Sequence, residues 1–211
     1  MGIPLTEPSY YIQFRDVVVD SIKAAMQDMP GINYEIVVNT PTSDKDVRGV
    51  VEASNFLVDK CLCEGWDYLW IVEGDIQVPG HAFRRLYCPR ADINLGVYPN
   101  HRDDVLKMMA GYFRDRPPGN PPEIVNVYDK AKLEGKVFTG MVCAGVGCCL
   151  IHRRVFESGL RFVYDVHRFR VKVGGHDQLF LYEAQKVGFK VFLHGDVLCG
   201  HLPEWGLEKL A

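Results

Sequence analysis

The spacing of apolar positions changes several times along this chain, and the changes mark out alternating helices and strands. In "YIQFRDVVVDSIKAAMQ", Ile12, Val18, Ile22, Ala25 and Met26 recur at helical spacing, which predicts a helix with one apolar stripe. Residues 2–5 read as a short strand before it, and the β-branched run 34–38 as a strand after it. A second helix is predicted over 46–63, with Val50, Val51, Phe56, Leu57 and Leu62 inward. Residues 67–72 predict a buried strand, 79–87 a short helix with proline near its start, and 93–97 a strand. Residues 142–151 are apolar, small and punctuated by glycine; 177–187 predict a helix that Gly188 stops, with a strand over 190–193. Such alternation predicts an α/β fold with a largely parallel central sheet flanked by helices. Ligands of open parallel sheets bind beyond the carboxyl ends of the strands.

Composition narrows the field. A chain of 211 residues suffices for one core and is short for two, so one domain, 1–211, is expected. A formal charge of −3 makes no electrostatic case for a nucleic-acid or membrane-surface partner. No apolar run approaches the ~20 residues of a membrane span. The start "MGIPLTEPSYY" lacks a signal-peptide pattern, and only Thr6 fits a myristoylation motif. Seven cysteines without C-x-x-C spacing are expected as reduced, mostly buried thiols of a cytoplasmic protein, in preference to a zinc site. "RDRPPGNPP", 114–122, is expected as a surface loop, either an acceptor-binding element or a solvated insertion.

The candidate chemistry sits in "DYLWIVEGDIQVP", where the apolar strand runs into Glu73-Gly74-Asp75. If extended geometry persists, both carboxylates point to one side. Gly74 then lets a bulky anionic ligand approach the backbone. Carboxylates aimed together repel unless a cation sits between them or one stays protonated. Mg²⁺ typically takes one or two protein carboxylates and fills its shell with substrate phosphates. A solvated turn fits the same tripeptide.

Six segments in order carry a family resemblance. "WIVEGDIQVP" resembles the acidic DxD motif at a strand end in GT-A fold glycosyltransferases, most like compact family-two-like enzymes that use nucleotide-sugar donors. "GIPLTEPSYY" and "VVNTPTSD" are similar to that family's nucleotide-contacting loops, and Ala53-Ser54-Asn55 to its "ARN" triplet. "LGVYPNHR" resembles the strand and turn after the acidic motif, and "CAGVGCCLIHRRVFE" the glycine-rich acceptor-side segment. "GGHDQLFLYEAQKVGFKVFLHGDVLCGH" resembles the closing segment with its acidic pair and terminal "GH".

The resemblance implies a GT-A fold with a nucleotide-binding half, 1–100, and an acceptor-side half, 101–211. It implies transfer of a sugar from a nucleotide-diphosphate donor, UDP-sugar favoured over GDP-sugar, to an acceptor hydroxyl. It implies Mn²⁺ or Mg²⁺ held by Asp75 and His201, with Glu73 acting through water or the donor's ribose, and Asp177 as general base. Pro4, Leu5, Thr6, Glu7, Thr40, Arg48, Asn55 and Gly74 are the implied donor contacts, and Gly145, His176 and Trp205 the sugar or acceptor contacts. Three departures stand out: Glu73 for Asp, Ser54 for the triplet's arginine, and His176 for the first acid of the pair. Two rival functions remain open at this level: a nucleotidyltransferase, against which the absence of a basic phosphate loop counts, and a binding domain that has lost catalysis. Apart from the resemblance, Asp177 reads as a helix N-cap, and Trp66, Tyr68 and Trp70 as core.

Overall fold

The computed structural model describes residues 2–4, 8–39, 47–99, 108–115, 122–127, 129–164, 175–202 and 208. The described elements run β1 (Gly2–Pro4), α1 (Pro8–Gln27), β2 (Val37–Asn39), α2 (Val47–Cys63), β3 (Tyr68–Val72), β4 (Ile76–Gln77), α3 (Ala82–Leu86) and β5 (Ile93–Val97). They continue with β6 (Ala110–Arg114), β7 (Glu123–Asn126), α4 (Lys130–Leu133), β8 (Val137–Phe138), β9 (Val142–Ala144) and β10 (Cys148–His152). The chain closes with α5 (Arg154–Glu157), α6 (Gly175–Lys186), β11 (Val191–Leu198) and β12 (Gly200–His201).

A seven-stranded sheet, ordered β2-β1-β3-β10-β5-β11-β8, forms the middle layer. The expectation of a largely parallel sheet is corrected here. β1 pairs in parallel with β2 and β3, and β5 with β11, but β10 slots antiparallel between β3 and β5, and β8 lies antiparallel on β11. The two smaller sheets, β12-β4 and β7-β6-β9, are antiparallel throughout. Antiparallel pairings therefore predominate. These pairings still point β1, β2, β3, β5 and β11 the same way, so their carboxyl ends share one edge.

The period-two alternation of strand side chains divides the core in two. Leu69 and Ile71 of β3, with Cys149 and Ile151 of β10, pack on the face that carries α2, α5 and α6. Trp70 and Val72, with Cys148 and Leu150, meet Val18, Ile22, Ala25 and Met26 of α1 and Phe83 and Leu86 of α3 on the other face. Tyr68 is half-buried at the margin of this face and Trp66 at the margin of the first. On α2 the buried stripe is Val51, Ser54, Leu57, Val58 and Cys61; Phe56 lies off it and is exposed, against expectation.

The other boundary differences have local causes. The strand expected at 34–38 shrinks to β2, and β11 outruns its expected end because the chain stays paired as far as Leu198. The 142–151 run divides into β9 and β10, which belong to different sheets, so the turn between them redirects the chain. Helix α6 begins at Gly175, which places Asp177 inside the first turn and not at the cap. The helix is followed by Gly188 at φ 100°, a backbone that glycine adopts without strain. Of the proline-rich stretch, 116–121 lie outside the described residues. Among the described residues no helix is long and apolar enough to cross a membrane. The seven cysteines are free thiols, and five are buried.

Candidate functional site

At the shared carboxyl edge β3 ends at Val72, and the chain turns. The Glu73 N–H donates to the Gly147 carbonyl at 2.9 Å, and the Ile76 N–H donates back to the Glu73 carbonyl at 3.0 Å. Extended geometry thus stops before the acidic triplet, and Glu73 and Asp75 reach different partners. Strand alternation does not govern them. Gly74 is buried in this turn.

Asp75 goes to the C-terminal imidazole. β12 pairs antiparallel with β4, setting His201 opposite Ile76, and the Leu202 N–H donates to the Asp75 carbonyl at 2.8 Å. His201 Nε2 then lies 3.2 Å from Asp75 Oδ2, while Nδ1 lies 2.7 Å from the Pro99 carbonyl oxygen. A carbonyl only accepts, so Nδ1 carries the proton that fills that contact. With a single ring proton, Nε2 then presents a lone pair to a carboxylate oxygen. Two lone pairs at this distance call for a cation or a second proton between them, so the donor set fits a divalent ion bound by one oxygen and one nitrogen.

Glu73 does not join that pair. Among the described residues no three His, Cys, Asp or Glu side chains form a cation-holding group. Although the residue is half-buried overall, its carboxyl end lies against Gly147 and Tyr98: a Cβ built on Gly147 would come within 2.8 Å of Glu73 Oε2. Burial, with Asp75 and then Asp177 nearby, pushes the Glu73 carboxyl up to about 8.

Asp177, on α6, completes the cluster. Its Oδ1 accepts the Gln178 N–H at 3.0 Å. Burial raises its carboxyl above the usual range, offset in part by His176 and by the N–H groups of Gln178 and Val146. His176 beside it is buried, and neither ring nitrogen has a hydrogen-bond partner among the described residues. A buried polar group in that condition costs stability unless a ligand or water completes it.

Gly145 is at the site. A Cβ built there would fall 1.8 Å from the Tyr98 hydroxyl oxygen, so the missing side chain makes room for tyrosine. Sequence reasoning passed over Tyr98. Its only signal was an aromatic at a strand end in a chain that also carries Gly-x-Gly. The Asn55 side chain is bound to backbone: its amide donates to the Phe162 carbonyl at 2.8 Å and accepts the Phe162 N–H at 3.0 Å. Arg48 opens α2 with its guanidinium 5.2 Å from the Tyr164 ring centre. Pro4 ends β1; Leu5, Thr6, Glu7, Thr40 and Trp205 lie outside the described residues.

The mixed α/β sheet has counterparts among solved structures. Among solved structures, A197 from STIV shares it at a TM-score of 0.59 and 15% identity, over 96% of this chain and 84% of that one. GalNAc-T7, solved with UDP, GalNAc and Mn²⁺, shares it at 0.53 and 14% identity, over 97% of this chain and 44% of that one. A nucleoside-diphosphate-sugar pyrophosphorylase from Vibrio cholerae RC9 is similar at 0.49 and 10% identity, over 94% and 91%. No family model and no curated protein matches the chain. At these identities the likeness is one of fold.

Proposed function

We propose that this protein is a cation-dependent glycosyltransferase that moves a sugar from a UDP- or GDP-sugar to an acceptor hydroxyl. One observation carries the reading: Asp75 Oδ2 and His201 Nε2 face each other at 3.2 Å at the carboxyl edge of the sheet, with Nδ1 already committed to the Pro99 carbonyl. Asp75 and His201 would hold Mn²⁺ or Mg²⁺, leaving the rest of the shell to water and the donor's phosphates. Bound there, the ion supplies Lewis-acid relief of the charge on the departing nucleoside diphosphate.

The chain's own groups divide the remaining work. Asp177 takes the proton of the acceptor hydroxyl as that oxygen bonds to the anomeric carbon; the carbon–phosphate oxygen bond breaks, and its electron pair leaves with the nucleoside diphosphate. The raised carboxyl favours this, because a base works best when its pKa approaches the working pH. A one-step displacement of this kind inverts the anomeric centre. Glu73, protonated near neutrality, donates a hydrogen bond to the donor's ribose or phosphate. The two unpartnered nitrogens of His176 suit a sugar hydroxyl. The nucleotide would lie beyond β1 and β2, against Pro4, Leu5, Thr6, Glu7, Thr40, Arg48 and Gly74, with Trp205 on the acceptor side.

The test is incubation with a panel of UDP-, GDP- and dTDP-sugars and Mn²⁺. Release of nucleoside diphosphate from one donor is expected. Pyrophosphate release would overturn the reading in favour of nucleotidyl transfer, and binding without turnover in favour of a non-catalytic domain.

A further inference from the structure

Tyr98 follows the last residue of β5 and is 5% exposed, with its hydroxyl inside the acid cluster. Two glycines leave the space it fills. A Cβ on Gly145 would sit 1.8 Å from the Tyr98 hydroxyl oxygen and 3.4 Å from Asp177 Oδ2. One on Gly147 would sit 3.0 Å from Tyr98 Cζ and 2.8 Å from Glu73 Oε2. Phenol, Asp177 and Glu73 therefore surround one turn, 145–147, that presents no side chain toward them from its glycines.

That turn binds all three. The Gly147 N–H donates to the Tyr98 hydroxyl at 3.3 Å, and the Gly147 carbonyl accepts the Glu73 N–H at 2.9 Å. The turn also lies against the Asp177 carboxylate, whose Oδ2 is 3.4 Å from the Cβ position of Gly145. A phenol oxygen that accepts an N–H still has its own proton to give. The acceptors around it are the Glu73 and Asp177 carboxylates, both close enough to bear on the phenol's own ionisation, which burial and these charges drive upward. The ring is also held edge-on to the His201 imidazole, with centres 5.5 Å apart.

We infer that Tyr98 is a positioning residue for the candidate base: its hydroxyl pins the 145–147 turn and thereby fixes where the Asp177 carboxylate points, apart from Glu73. The inference rests on the transferase reading for its catalytic consequence and on the packing alone for its structural one. A base displaced by about 1 Å loses on the order of 100-fold in rate, whereas the Asp75–His201 pair does not hang on that turn, so donor binding through the cation is kept. Tyr98 thus acts on turnover through Asp177.

The experiment compares Tyr98→Phe with the native chain in three measurements: melting temperature, nucleotide-sugar affinity with Mn²⁺, and turnover. Phenylalanine keeps the ring and removes only the hydroxyl. The expected result is a melting temperature within a few degrees of native, unchanged donor affinity, and turnover lower by roughly 10- to 100-fold. Full turnover in Tyr98→Phe, or loss of donor affinity in step with turnover, would overturn the positioning role. If the native chain turns over no donor, the transferase reading falls separately. The Tyr98 inference is then decided by crystal structures: an Asp177 carboxylate and a 145–147 turn that both keep their place in Tyr98→Phe would overturn it. Gly145→Ala gives a control on packing. It should unfold at lower temperature than native and recover when Tyr98→Leu is added, because the clash at 1.8 Å is then gone.

Discussion

The two edges of the central sheet bury acids to the same depth and treat them in opposite ways. At the amino edge, Asp92 is 5% exposed; at the carboxyl edge, Asp75 is 6% and Asp177 9% exposed. Asp92 is surrounded by donors: the Arg154 guanidinium binds Oδ1, and the Lys190 N–H donates to Oδ2 at 2.8 Å. Its backbone carbonyl accepts the His152 N–H at 2.9 Å, tying the starts of β5 and β11 to the end of β10. At the other edge, the charges that bear on Glu73 belong to Asp75 and Asp177, and both push its carboxyl further up. A buried acid with matched donors is explained by the fold. Acids that raise one another's pKa are a cost to folding, and shifted groups of this kind cluster where ligands bind.

Substitutions on the two edges should therefore separate stability from turnover. The largest effect is expected from Asp177→Asn, which keeps an oxygen for the Gln178 N–H but removes the base. Turnover should fall by about 10²- to 10⁴-fold with melting temperature and donor affinity retained. Parallel loss of affinity would make Asp177 a binding residue instead. Asp92→Asn should do the reverse. Urea unfolding should show a loss of about 1–3 kcal/mol from the weakened donor set, with turnover at native level. The ion pair itself contributes little of this, because the Arg154 side chain is 52% exposed.

A pH series sharpens the comparison further. Glu73 has a folded pKa of about 8 against an ordinary 4.5. Between these values the folded chain keeps a proton that the unfolded chain has released, so rising pH favours unfolding. In metal-free buffer, the native chain should lose melting temperature relative to Glu73→Gln as pH rises from 4.5 to 8. The gap should level off above pH 8 and close below 4.5. A gap constant across that range would place the burial of Glu73 elsewhere.

What the sequence made legible follows from how local each signal is. α1 and β3 were readable because one apolar period persists through them, and α6 because Gly188 supplies its stop. Phe56 was misplaced because a helical stripe tolerates either of two neighbouring phases until the sheet beneath is known. The β7-β6-β9 sheet and the insertion of β10 between β3 and β5 depend on pairings between distant segments, which no local pattern encodes. At the site, Asp75 was legible from an apolar strand running into carboxylates, whereas His201 was reached through the family resemblance, since β12 must fold back onto β4 before the two meet. Tyr98 could not be read at all. Its role lies in the space over Gly145, a property of packing and not of residue type.

The most direct test of the cation pair is Mn²⁺ titration followed by electron paramagnetic resonance, with UDP present, on the native chain and on Asp75→Asn. The native chain should bind Mn²⁺ saturably and more tightly with UDP than without it, and Asp75→Asn should lose that binding by at least about 10-fold while melting normally. Equal Mn²⁺ affinity in the two proteins would contradict the account.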